Sequence, residues 1–111
     1  MGVLLVLKII ISLATAATGL LALIKPEAVY GFTGLTATSV RGISEIRAIF
    51  GGLFIALGIT PIVFNQYRLL GIAYLAIAVA RLISILVDKS YAQSNLISLA
   101  IEIVLGVFLV I

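Results

Sequence analysis

Four long apolar stretches, separated by short polar segments, make up most of the chain. They cover residues 3–24, 39–64, 67–87 and 95–111. A helix needs about 20 apolar residues to cross the hydrocarbon core of a bilayer. An open chain can cross it only as helices, because every backbone N–H and C=O group in lipid needs a partner within its own segment. The pattern therefore predicts four transmembrane helices.

The polar segments predict how these helices are connected. Asn65–Gln66 separates the second helix from the third, and Asp88–Ser94 separates the last two, so both pairs are expected to form antiparallel hairpins. In the longer first connection, residues 26–32 begin with proline and include Tyr30 and Phe32. Proline suits the first position of a helix and aromatic side chains favour the membrane interface, so this segment is predicted to form a short interfacial helix.

The composition also indicates a lipid environment. Hydrophobic residues are 64% of the 111 residues and charged residues 10%, and the mean hydropathy is +1.41. Soluble domains are about 45–50% apolar and about 25% charged. We therefore predict an all-α fold, an integral membrane antiparallel four-helix bundle that forms a single domain over residues 1–111 and crosses the cell membrane several times. Lys and Arg are divided almost evenly between the two sides, so no orientation is predicted.

Two missing residue types restrict the chemistry. The chain has no Cys and no His, which excludes thiol nucleophiles, disulfides and imidazole bases or ligands. Four acidic residues leave little to hold a metal ion. The seven Lys and Arg residues give a net charge of +3 but form no run typical of a nucleic-acid site. We expect no metal, no cofactor, no nucleic-acid partner and, without a nucleophile or an oxyanion motif, no enzymatic activity.

Polar and small residues within the predicted helices recur every three or four positions, which places them on one face of each helix. They are Lys8, Ser12, Thr15 and Gly19 in the first helix, Arg47, Gly51 and Gly58 in the second, Gly71, Tyr74, Arg81 and Asp88 in the third, and Asn95, Ser98, Glu102 and Gly106 in the fourth. One polar face on each of four helices favours a bundle with these faces turned inward. We interpret Gly51, Gly52 and Gly58 as positions of close helix packing.

Four charged residues form the candidate site: Glu45, Arg47, Arg81 and Glu102. Antiparallel threading brings them to one side of the membrane, and their charges sum to zero, as a buried cluster requires because an unpaired charge in lipid is costly. We predict a buried charge network or a ligand-binding site. The supporting positions are Arg41, which is expected to pair with Glu45, and Tyr74, Ser84, Asp88 and Ser98. Alternatively, Arg81 and Glu102 form an interhelical ion pair that only fixes the helix register.

The segment Glu45–Gly52 (EIRAIFGG) resembles the EIRA-aromatic-GG motif of a bacterial family of small four-helix membrane proteins of unknown function. Arg81–Ser84 (RLIS) and Glu102 are similar to features of that family's third and fourth helices, and the resemblance covers nearly the whole chain. The family is similar in turn to the wider DoxX-like membrane proteins, some of which accompany oxidoreductases or act as assembly factors. The resemblance implies a fold more than an activity. Phe50 stands where the family often has Tyr, so no role for a hydroxyl group is implied there.

Three functions fit these residues. The first is a binding or auxiliary module in which arginines in an apolar pocket hold the carboxylate or phosphate of an anionic lipid or amphiphile. The second is a small proton-coupled transporter that uses Glu102, with the helix count of the small multidrug resistance transporters but without their glutamate in the first helix. The third is a purely structural subunit. The expected partners are the lipid bilayer, an anionic lipid or amphiphile, and a second copy of the chain or a larger membrane complex.

Overall fold

Helices make up most of the structure, a computed structural model that describes residues 2–111 apart from the side chain of Phe32. The elements are α1 (Gly2–Ile24), α2 (Ala28–Thr33), α3 (Val40–Glu45), a π-helical segment (Ile46–Leu53), α4 (Phe54–Phe64), α5 (Tyr67–Asp88) and α6 (Gln93–Val110). The described residues contain no β-strand, so the all-α prediction is confirmed. Four helices, namely α1, the continuous stretch Val40–Phe64, α5 and α6, are long and apolar enough to cross a membrane, as a four-helix membrane bundle requires.

The helices begin and end within two residues of the predicted positions. Ser39 starts the second long helix by accepting a hydrogen bond from the Gly42 N–H at 3.0 Å. Asn65 and Lys89 end α4 and α5 in the left-handed conformation, with φ of 54° and 53°. Their N–H groups each donate to a helix carbonyl, so both helix ends are capped locally. The predicted hairpin of the second and third long helices stays a prediction.

The chain forms two compact units, one ending at Asn65 and one running from Gln66 to Ile111. The prediction of a single domain over residues 1–111 stays a prediction. Within each unit, two long helices pack side by side through positions where small residues bring the backbones together.

In the first unit, α1 packs antiparallel to the stretch Val40–Phe64. A β-carbon added to Gly19 would lie 2.6 Å from the Ile55 nitrogen and 2.7 Å from the Gly51 oxygen, so only glycine permits this approach. Nearer the other end of the interface, a β-carbon on Gly58 would collide with the backbone of Ala16. The interface is therefore built on backbone proximity, which is typical of helices that associate in lipid.

Gly52 differs from this pattern. It is exposed, and a β-carbon added there would meet no atom of the described residues within 4 Å. The interpretation of Gly52 as a packing position was therefore wrong, whereas Gly51 and Gly58 are buried against α1. The adjacent glycines point in different directions from the helix, so only one of them can contact α1.

The segment Ile46–Leu53 is a π-helix inside the second long helix, which the sequence predicted as a helix over residues 39–64. Its two buried residues, Ile46 and Gly51, are five positions apart, which is the hydrogen-bond spacing of a π-helix, so both lie on the side that faces the rest of the unit. Ile46 packs with Ala22 of α1 and Val29 of α2 in a small core, against which Tyr30 is half-buried. The wider π turn thus keeps two distant positions in contact with α1 and α2. The predicted interfacial role of Phe32 lies outside the described side chains.

In the second unit, α5 and α6 form an antiparallel hairpin. Gly71 and Gly106 face each other near its open end: a β-carbon on Gly71 would lie 2.9 Å from the Gly106 oxygen, and one on Gly106 would lie 2.6 Å from Leu75. At the closed end, the Ser90 N–H donates to the Ile85 oxygen at 3.2 Å. Between these two ends, the polar residues of both helices meet.

Candidate functional site

A bidentate ion pair joins the two helices of the second unit. The Nε and Nη2 atoms of Arg81 each donate to one carboxylate oxygen of Glu102, both at 2.8 Å. Parallel N–H···O bonds of this kind fix the orientation of both groups and are among the strongest that proteins form. The predicted salt bridge between Arg81 and Glu102 is confirmed.

Asn95 adds a third contact and connects the pair to the hairpin loop. Its Oδ1 accepts a hydrogen bond from Nη1 of Arg81 at 2.7 Å. Its Nδ2 donates to the backbone oxygen and to the Oγ of Ser90, at 3.2 and 3.1 Å. A continuous hydrogen-bonded chain therefore leads from the loop through Asn95 and Arg81 to Glu102, which lies near the middle of α6.

The two partners of the ion pair differ in exposure. The side chain of Glu102 is 12% exposed, whereas that of Arg81 is 32% exposed. Arg81 lies about 10 Å along α5 from the end of that helix, from a rise of about 1.5 Å per residue. Among the described residues, no buried side-chain nitrogen or oxygen atom lacks a hydrogen-bond partner. The site is thus a polar cluster in which each buried side-chain nitrogen or oxygen atom has a partner, and its cation is the more accessible member.

The predicted supporting residues of the hairpin take different positions. Ser84 donates to the Asp88 carboxylate at 3.2 Å, and this exposed pair lies at the end of α5. Ser98 is half-buried on α6 between Asn95 and Glu102 in sequence, and Tyr74 is half-buried on α5. Ser98 and Tyr74 therefore belong to the helix faces that carry the ion pair, whereas Ser84 and Asp88 form a separate contact.

The charged residues of the first unit have other partners. Arg41 and Glu45 form the expected pair, with Nε and Oε1 3.3 Å apart and side chains that are 84% and 59% exposed. Nε of Arg47 donates to the Leu23 carbonyl oxygen at 3.1 Å. Because Leu23 is in the last turn of α1, Arg47 places its charge at the negative end of that helix dipole. Neither Glu45 nor Arg47 is buried.

The structure thus brings together Arg81 with Glu102, and Arg41 with Glu45, each within one unit. The predicted network of four charges, Glu45 and Arg47 with Arg81 and Glu102, has members in both units and stays a prediction. No group of three potential ligands among His, Cys, Asp and Glu in the described part of the chain could hold a metal ion.

Sequence reasoning missed two contacts of the charged residues. Asn95 was placed on the polar face of the fourth helix but not among the candidate site residues, although its spacing of seven from Glu102 puts both on one face. The Leu23 carbonyl that Arg47 binds has no side-chain signature. The only signal was the general need of a helix C-terminus for hydrogen-bond donors.

Four helices that are long and apolar enough to span a bilayer, two of them joined by an ion pair, are the features of a small membrane protein. More particularly, the chain belongs to the family described as a domain of unknown function, DUF4345, whose sequence model matches residues 3–111. No curated protein and no solved structure matches the chain.

Proposed function

We propose that the protein is a membrane-embedded binding or auxiliary module in which Arg81 holds the head group of an anionic lipid or amphiphile. The observation that carries this proposal is that the guanidinium group is held in place but still has hydrogen-bond donors to offer. Three of its five N–H groups donate to Glu102 and Asn95, and two remain on Nη1 and Nη2 of a side chain that is one-third exposed. A preorganised guanidinium in an apolar span suits a carboxylate or phosphate group.

The surroundings of Arg81 suit the tail of such a molecule. Ile77, one turn before Arg81 on the same face of α5, is half-buried, and the next residue, Leu82, is 44% exposed. In a bilayer these side chains contact acyl chains, so a ligand that enters from the lipid keeps its tail in an apolar environment while its head group meets Arg81. The cell membrane is the proposed location.

The test is native mass spectrometry of the gently solubilised protein. We expect the wild type to carry an anionic amphiphile, and we expect the double variant Arg81→Gln with Glu102→Gln to lose it. The double substitution leaves no unpaired charge behind, so it tests binding with little effect on folding. Arg68→Gln is the matched control, because it removes the charge of an exposed arginine on the same helix. Retention of the amphiphile by the double variant, or its equal loss from Arg68→Gln, contradicts the proposal.

One observation favours the structural alternative. Both carboxylate oxygens of Glu102 bind Arg81, and Asn95 completes a contact that holds the two helices in register. A subunit that only packs in a larger complex needs nothing more. Two further functions stay predictions: proton-coupled transport through Glu102, and assembly with a second copy or with other membrane proteins. The relation to DoxX-like proteins also stays a prediction.

A further inference from the structure

We infer that the α5–α6 site captures an anion together with one proton, which Glu102 takes up. This inference rests on the proposed function, because it concerns the charge state of the same site when its ligand is bound. Empty, the site is neutral, since one guanidinium is paired with one carboxylate. A second anion on Arg81 would give the site a net negative charge within an apolar span, where uncompensated charge is disfavoured.

The other ionisable groups of the hairpin cannot compensate this charge. Glu102 is the only ionisable side chain of α6. On α5, which packs against α6, Arg68 and Asp88 are exposed near the two helix ends. Lys89, which caps the end of α5, is exposed as well. Tyr74 is half-buried on α5, and its phenol group supplies no positive charge. Neutrality is therefore restored most directly by a proton on Glu102.

The balance of the step is simple. The free site holds a guanidinium cation and a carboxylate anion, and the loaded site holds the guanidinium, the ligand anion and a carboxylic acid. One anion and one proton enter together, and the net charge stays zero. The proton binds a carboxylate oxygen of Glu102 and comes either from water or from the ligand's own acid group. No covalent bond other than O–H forms or breaks.

The geometry allows this exchange without disordering the site. Arg81 is more exposed than Glu102, so the ligand meets the cation first. Asn95 holds Nη1 of Arg81 through a contact that does not involve Glu102, and Asn95 is itself held by Ser90. The guanidinium group therefore stays oriented when Glu102 becomes neutral and its interaction with Arg81 weakens. Asn95 acts here as a positioning residue.

The experiment uses dodecyl sulfonate, added to the protein in phosphatidylcholine nanodiscs. A sulfonate stays ionised at every working pH, so it cannot bring a proton of its own. We expect a pH indicator in weakly buffered medium to report uptake of about one proton per captured sulfonate. By linkage, the wild-type affinity should fall about tenfold per pH unit wherever free Glu102 is ionised.

Glu102→Gln and Glu27→Gln form the matched pair of variants. Glu102→Gln is already neutral and keeps a carbonyl acceptor for Arg81, so it should capture sulfonate without proton uptake and with the same affinity at every pH. Glu27 is exposed outside the hairpin, and Glu27→Gln should behave as the wild type. Infrared difference spectra of the wild type supply a readout that needs no variant, because capture should convert a carboxylate band into a carboxylic acid band.

The outcomes separate the two ideas. Capture by the wild type with no proton uptake, no acid band and a flat pH dependence overturns the inference and leaves the proposed function standing. The absence of any capture by the wild type overturns the proposed function, and the inference with it.

Discussion

Arg81 can lie within an apolar helix because its charge is compensated at three points. Glu102 supplies the opposite charge through two hydrogen bonds, and the Asn95 amide supplies a third acceptor. An ion pair taken out of water gains little over apolar packing, but removal of one partner leaves the other charge unpaired. We therefore expect a large decrease in the free energy of unfolding only when one member of the pair is changed alone.

This asymmetry predicts the stability of four variants in mixed micelles. Arg81→Ala should lower the free energy of unfolding by about 3 kcal/mol, because it leaves the sheltered Glu102 carboxylate without its cation. The double variant Arg81→Gln with Glu102→Gln should lose much less, since no charge remains. The charge swap, Arg81→Glu with Glu102→Arg, should recover part of the loss. Arg68→Ala should change the free energy by no more than about 0.5 kcal/mol, as surface substitutions usually do.

Titration with a denaturing detergent measures these differences. An equal loss of stability in Arg81→Ala and in the double glutamine variant would show that the pair contributes through its hydrogen bonds and not through its charge. If the swap restores folding but not capture of an amphiphile, the site has a role beyond holding the helices in register.

The packing of α1 on the second long helix depends on which side of the helix each glycine occupies. Gly58 and Gly19 lie where the two backbones nearly touch, while Gly52 lies on an open side. All three glycines lie within apolar helical segments, so their sequence neighbours do not distinguish them. Their difference comes from helix rotation, and the π turn between Ile46 and Leu53 changes that rotation.

Two alanine substitutions test this difference between glycines. Gly58→Ala should destabilise the first unit by about 1–3 kcal/mol, because its β-carbon overlaps the backbone of Ala16 and the helices must separate. Gly52→Ala adds the same methyl group within the same long helix. It should be neutral or slightly stabilising, because no atom in the described part of the chain lies within 4 Å of the added carbon. Thermal unfolding in one detergent compares them directly. A larger loss in Gly52→Ala than in Gly58→Ala would mean that Gly52, and not Gly58, faces α1.

At the scale of the whole molecule, the apolar pattern was sufficient for the helices but not for all their contacts. The length of each apolar stretch predicted the helix bounds within two residues, because a backbone in lipid must form its hydrogen bonds within its own helix. Helical periodicity and charge balance predicted the pairing of Arg81 with Glu102, since both are properties of side chains. The contact of Arg47 with the Leu23 carbonyl involves backbone, and the π turn depends on how closely α1 approaches Gly51. Neither has a local signature in the sequence.

The absence of cysteine makes the membrane crossings directly measurable, since a single introduced thiol has no background. Thr36 and Gln66 flank the stretch Val40–Phe64, and Gln66 and Tyr91 flank α5. If both helices cross the bilayer, Gln66→Cys should react with a membrane-impermeant maleimide from the side opposite to Thr36→Cys and to Tyr91→Cys. All three positions are exposed in the protein, so a thiol that fails to react from one side is shielded by the membrane and not by protein packing.

Val79→Cys is the control for burial in lipid. Val79 is 59% exposed in the protein yet lies within α5, so its thiol should resist the maleimide in intact vesicles and react once detergent removes the bilayer. A Val79→Cys thiol that reacts in sealed vesicles would mean that this face of α5 meets water instead of acyl chains. Val79 lies at nearly the depth of Arg81 but on another side of the helix, so that result would show that water reaches this depth of α5 and would undermine the proposed entry of an amphiphile from the lipid. The same labelling series therefore tests the transmembrane fold and the apolar surroundings on which the proposed binding site depends.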